Sequence, residues 1–148
     1  AQVLELMRNL KQQLNMSMLL ITHDLGIVAE VCDDVAVMYA GRIIEQGSLV
    51  DIFDHKRHPY TEGLFNSLPD VNNRDIKLKP IKGQMPNPAN LPTGCPFHPR
   101  CEYATEKCSR EMPPAYHFSD THYAKCWLYE TNMENKLASK DYDAGEEG

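Results

Sequence analysis

Four of the five cysteines in this 148-residue chain fall within one short stretch, at Cys95, Cys101, Cys108 and Cys126. Their gaps are five, six and seventeen residues. Thiolates at this density can form two disulfides, a zinc site or an iron–sulfur cluster. Zinc ligands usually come in knuckles with about two to four residues between them, and the shortest gap here is five. A cubane cluster is larger and takes one thiolate per iron, which wider gaps can supply; Cys95-Pro96 also echoes a Cys-Pro step found beside such ligands. His98, His117 and His122 lie among the cysteines and are substitute ligands. Arg100, Lys107, Arg110 and Lys125 flank them, either offsetting a cluster's negative charge or standing as ordinary solvated cations. The fifth cysteine, Cys32, reads as a small buried apolar residue.

His23 is the other candidate. It follows the apolar run Met18-Leu19-Leu20-Ile21-Thr22, where an open α/β sheet places ligand-contacting residues. From the residues alone, a histidine hydrogen-bonded to a neighbouring loop is the simpler expectation.

The elements that must carry these residues divide the chain. All ten prolines lie at or after Pro59. Residues 1–68 carry a net charge of −4, residues 69–130 of +1, and the last eighteen of −3, for −6 overall. That acidic balance excludes a nucleic-acid binder relying on bulk charge. No apolar run is long enough to span a bilayer, and the opening Ala-Gln has no secretory-signal character.

Val3, Met7, Leu10 and Leu14 fall at helical spacing. Met18–Thr22 has the composition of a short buried strand. Asp24 can cap a helix with Ile27, Val28 and Val31 on its inner face. Val35–Tyr39 predicts a strand, Ala40-Gly41 a tight turn and Arg42–Glu45 its hairpin partner. Ser48 and Asp51 have capping-box spacing. A helix–turn–helix stretch follows, interrupted at His58-Pro59 and ending near Leu68-Pro69.

The order of these strings carries a resemblance. Leu20-Ile21-Thr22-His23-Asp24-Leu25, followed by Asp33-Asp34-Val35-Ala36-Val37-Met38-Tyr39-Ala40-Gly41-Arg42-Ile43-Ile44-Glu45-Gln46-Gly47, resembles the end of an ABC-transporter ATPase domain. His58-Pro59-Tyr60, then Gly94-Cys95-Pro96-Phe97-His98-Pro99-Arg100-Cys101, resembles the C-terminal extension of oligopeptide and dipeptide importer ATPases. The resemblance implies an α/β fold: the last part of a P-loop ABC ATPase domain over 1–68, a linker over 69–82, a small irregular cysteine-rich domain over 83–130, and a disordered acidic tail over 131–148.

It also implies roles. His23 would be the switch histidine contacting the γ-phosphate of ATP, with Mg, and helping to position the attacking water. Cys95, Cys101, Cys108 and Cys126 would hold a [4Fe–4S] cluster, with zinc as the alternative, and a cytosolic setting disfavours disulfides. Partners would be a homologous ATPase subunit and transmembrane permease subunits at the cytoplasmic face of the plasma (inner) membrane, with the peptide engaged only indirectly and no nucleic acid. The sequence holds no Gly-x-x-x-x-Gly-Lys-Ser/Thr loop, no Leu-Ser-Gly-Gly-Gln signature and no apolar strand ending in Asp-Glu. In the resembled family those elements precede Ala1, so the chain is expected not to hydrolyse ATP alone. A stand-alone structural or redox metal-binding module is the competing expectation.

Overall fold

The computed structural model of the chain describes residues 2–68 and 78–130. The expected acidic tail over 131–148, and residues 69–77 of the expected linker over 69–82, lie outside the described residues. The architecture is α/β with one antiparallel sheet.

The helix predicted from Val3, Met7, Leu10 and Leu14 forms as α1 (Gln2–Leu14). Helix α2 (Leu25–Val31) starts at Asp24, whose carboxylate accepts from the Gly26 and Ile27 N–H groups, and it buries Val28. Arg8 and Lys11 of α1 pair with Glu30 and Asp33 around α2.

Residues 18–22 do not form the expected strand. A strand is held by hydrogen bonds to a neighbouring strand, and among the described residues none pairs with this run. Leu19 and Ile21 are 90% and 89% exposed. The β-type composition is thus left without a pairing partner among the described residues.

The hairpin forms as expected and extends further. Strands β1 (Asp34–Tyr39) and β2 (Arg42–Ser48) are joined by Ala40 and Gly41, at φ 50° and 77°. Two successive left-handed residues make the turn whose twist matches its strands. Ser48 then caps α3 (Leu49–Asp54), and the reciprocal capping box with Asp51 is present. His58 caps α4 (Pro59–Asn66), its Nδ1 accepting from the Tyr60 N–H at 3.0 Å.

The register of the hairpin is not regular. Val37 faces Glu45 but Met38 faces Ile43, so Ile44 is an extra residue on β2. This bulge cancels the alternation of side chains between faces. Ile44 and Glu45, consecutive in sequence, are both turned inward, at 1% and 0% exposure.

Ile44 enters the apolar core with Tyr39, Cys95 and Phe97, against which Tyr60, Ile81, Cys101 and Cys108 pack. Burying a side chain of the size of Ile44 or Phe97 contributes about 1.5–3 kcal/mol. Beyond α4 the described residues are irregular apart from two 3-10 turns, α5 (Glu106–Arg110), β3 (Tyr116–His117) and β4 (Tyr123–Ala124). The sheet order is β1-β2-β4-β3, so β2 is paired on both sides. The Lys125 N–H donates to the Ile44 carbonyl at 2.8 Å, continuing that pairing up to Cys126. Strand pairing and core therefore join residues 34–48 to residues 95–124.

Glu45 is the polar centre of this junction. Its carboxyl oxygens accept from the Arg57 and His58 backbone N–H groups, both at 2.8 Å, and from His122 Nε2 at 2.7 Å. Gly47 lies close by, and a Cβ there would stand 2.7 Å from Asp51 Cβ and 3.2 Å from the His122 ring. No described helix is long and apolar enough to cross a membrane.

Replacing Glu45 by Ala strands three buried donors. Removing one partner from such a buried network costs about 3 kcal/mol, so Glu45→Ala is expected to lower the unfolding free energy by that order in urea titrations. A double-mutant cycle with His122→Ala should give less than additive losses; strict additivity would show that the Glu45–His122 contact carries no coupling.

Candidate functional site: a four-thiol cavity

The four clustered cysteines converge. Cys95, Cys101, Cys108 and Cys126 all line one cavity of about 210 Å³, together with His58, Phe97, His98, Thr105, Lys107, Trp127 and Glu130. All five cysteines of the chain are free thiols.

Each ligand candidate reaches the cavity from a different short element. Cys95 follows Gly94, which has φ +71° and would set a Cβ 2.4 Å from the Cys108 carbonyl. Only glycine fits there, because two backbone segments touch and the conformation is left-handed. The contact is sealed by the Cys95 N–H donating to the Cys108 carbonyl at 2.8 Å. Cys101 ends the turn of 3-10 helix at His98–Arg100, and Cys108 lies on α5. Cys126 follows β4 and precedes the 3-10 turn Trp127–Tyr129.

Every one of the four sulfurs has hydrogen-bond donors. Cys95 is approached by the Phe97 and His98 N–H groups, Cys101 by that of Tyr103, and Cys126 by that of Leu128. Cys108 Sγ lies 3.4 Å from the Thr105 N–H and 3.3 Å from its hydroxyl. Burial nevertheless pushes the Cys95, Cys101 and Cys126 thiols up, Cys126 to about 12. The backbone donors oppose that rise, and the neighbouring sulfurs add to it. Bound positive charge is what would relieve both burial and mutual repulsion.

Among the described residues no group of three or more His, Cys, Asp or Glu side chains is arranged to hold a metal ion. A buried water needs only about 10–15 Å³, so the cavity that the four cysteines help to line has room for more than a single ion.

The flanking groups sort differently from their positions in sequence. His98 lines the cavity, with its Nδ1 2.7 Å from the Cys95 carbonyl. His117 and His122 lie on the β3–β4 hairpin, and His122 is Glu45's partner. Lys107 pairs with Glu130 and sits 4.0 Å over the Trp127 ring, at the cavity. Arg100 turns to the Lys82 carbonyl and Tyr39 hydroxyl, Arg110 to Glu106. Cys32 is part-buried at the end of α2, and His23 is exposed in the loop before it.

His58, read from the sequence as a helix interruption and as part of the His58-Pro59-Tyr60 string, was given no place at the thiol cavity. It is 1% exposed, caps α4, donates its backbone N–H to Glu45 and lines the thiol cavity. Burial pushes its ring down to about 4, against Glu45 and the Lys125 carbonyl, which favour the charged form. The signal available was the His-Pro pair itself, a cap followed by proline at the first helical position.

The fold and site define an α/β sheet segment fused through its own core to a cysteine-lined module. Residues 44–108 match the family described as the oligopeptide/dipeptide transporter, C-terminal region. Relatives extend the similarity over most of the chain. The oligopeptide transport ATP-binding protein AppD of Bacillus subtilis (strain 168) is 48% identical over 130 residues, covering 88% of this chain and 40% of that protein. The oligopeptide transport ATP-binding protein OppD of Haemophilus influenzae is 44% identical over 128 residues, covering 86% and 39%. The dipeptide transport ATP-binding protein DppD of Bacillus subtilis is 43% identical over 141 residues, covering 95% and 42%. The chain is thus similar over most of its length to oligopeptide and dipeptide transport ATP-binding proteins, and its residues 44–108 match the model of the transporter C-terminal region. It spans about two fifths of the length of these relatives.

The low value for His58 fixes a sign. The neutral ring contributes stability that is fully present above the ordinary value of 6.5 and lost as pH falls toward 4. The difference corresponds to about 3 kcal/mol. His58→Asn keeps a helix cap without a titrating ring, so urea midpoints between pH 7 and 4.5 should fall less for the variant than for the wild type. Equal slopes would mean that the buried ring titrates as an exposed one does.

Proposed function

We propose that this chain serves as the C-terminal portion of the ATP-hydrolysing subunit of an ABC-type importer of oligopeptides or dipeptides. The observation that carries this reading is the 48% identity, over 88% of the chain, to an oligopeptide transport ATP-binding protein. The ordered strings around His23, the β1–β2 hairpin and His58-Pro59-Tyr60 support it. A free-standing metal module finds no support among these relatives.

In this reading the division of labour follows the composition. Residues 1–68 complete an ATPase domain, residues 69–82 link it, residues 83–130 form the cysteine region, and 131–148 are a tail. ATP with Mg binds the whole subunit, which pairs with a homologous subunit and docks on permease subunits at the cytoplasmic membrane face. His23, exposed ahead of the Asp24 cap, is free to reach an exogenous phosphate. An imidazole N–H there donates to γ-phosphate oxygens as they gain charge in the transition state.

Cys95, Cys101, Cys108 and Cys126 hold a [4Fe–4S] cluster. The support is their shared cavity, the room inside it and the N–H donors directed at the sulfurs. A zinc site, the alternative, asks the four sulfurs to close on one ion. When bound, the cluster supplies a covalent staple and a one-electron redox centre. The protein's part is to converge four thiols, stabilise them as thiolates by N–H donation and wall them with Phe97 and Trp127.

Two measurements test this. The purified chain, reconstituted anaerobically with ferrous iron and sulfide, should absorb near 400 nm and carry about four irons, one per thiolate of the set. One zinc and no colour would sink the cluster. In the full-length subunit, His23→Ala should cut ATP hydrolysis about 100-fold or more while nucleotide binding persists; hydrolysis at the wild-type rate would remove His23 from the mechanism. The present chain alone should show no magnesium-dependent ATPase.

A further inference from the structure

Three of the four sulfurs at the thiol cavity are approached by backbone N–H groups two or three residues downstream: Phe97 and His98 for Cys95, Tyr103 for Cys101, and Leu128 for Cys126. Such donors come with the backbone whatever the side chain. Cys108 differs. Its donors come from upstream, from Thr105, and one is a side-chain hydroxyl at 3.3 Å, beside the Thr105 N–H at 3.4 Å. Thr105 itself lines the cavity, and the Cys108 N–H returns to the Thr105 carbonyl at 3.1 Å, so the residue is held in place at both ends.

The chemistry then has one direction. While Cys108 keeps its proton, either partner can donate across the 3.3 Å contact. Once the sulfur is a thiolate ligand it has no proton to give, and only the Thr105 hydroxyl can donate. Donation to a ligand sulfur withdraws electron density, favours the reduced and more negative cluster, and raises its reduction potential. We propose that Thr105 is a positioning and tuning residue for the cofactor, setting its potential through an O–H···S bond to Cys108. This inference rests on the cluster reading above.

The test uses the reconstituted chain and compares wild type, Thr105→Ser and Thr105→Val. Dithionite titration followed by visible absorbance gives the midpoint potential, and iron and sulfide analysis gives the loading. Thr105→Val, equal in shape but without the hydroxyl, should load iron normally and shift to a more negative potential. Thr105→Ser, which keeps the hydroxyl, should stay with the wild type. A merely structural role for Thr105 would alter folding or loading and leave the potential of loaded molecules unchanged.

An unshifted potential in fully loaded Thr105→Val overturns the proposal. Should that variant fail to load, Thr105→Ala is read in its place, since it withdraws the hydroxyl and adds no charge. A more negative potential supports the proposal, and an unchanged one overturns it. Failure of the wild-type chain to take up iron at all strikes the cluster reading itself, a result distinct from every outcome for Thr105.

Discussion

A carboxyl group with no exposure to solvent is tolerable only when its oxygens are fully engaged, and Glu45 meets this with three N–H donors from two distant parts of the chain. That requirement ties the end of β2 to the start of α4 and to the β3–β4 hairpin. It reaches the thiol site as well. His58, which gives one of the donors, lines the cavity, and β4, held beside Glu45 at Ala124, runs directly into Cys126. The placement of Cys126 is therefore coupled to the engagement of this carboxylate.

Local features were legible in the residues. The Asp24 cap, the Ser48–Asp51 box and the Ala40-Gly41 turn depend on neighbours within four positions, and each formed as expected. The helix of Val3, Met7, Leu10 and Leu14 is likewise a matter of spacing. Long-range choices were hidden. The bulge at Ile44 is a register shift that no alternation in β2 announces, yet it turns Glu45 inward. His122 reads as a spare metal ligand because it sits among cysteines, while its partner lies 77 residues away. Residues 18–22 were misread because apolar, β-type composition says what a strand would be made of and not whether a neighbour pairs with it.

The thiol site shows the same division. Spacing made the four cysteines a set, but could not reveal that the backbone turns N–H groups toward their sulfurs. Nor could it show that Gly94 permits Cys95 and Cys108 to meet backbone to backbone. Aromatic packing completes the wall. Phe97 stacks edge-on against both Tyr39 and Tyr60, so the ring beside Cys95 also belongs to the hairpin's core.

The pairing of β2 with β4 has a consequence for how the chain acquires its structure. Glu45 and Ala124 face one another across almost eighty intervening residues, so this ladder cannot form until all of them have been synthesised. Until residue 122 leaves the ribosome, the bulged strand holds an acidic side chain on what will be its interior face, still solvated by water. Closing so long a loop costs only about 0.6 kcal/mol more for each doubling of its length, but it slows the search, since nonlocal pairing gives no return until its ends meet. Synthesis order thus makes the cysteine region the element that completes the sheet.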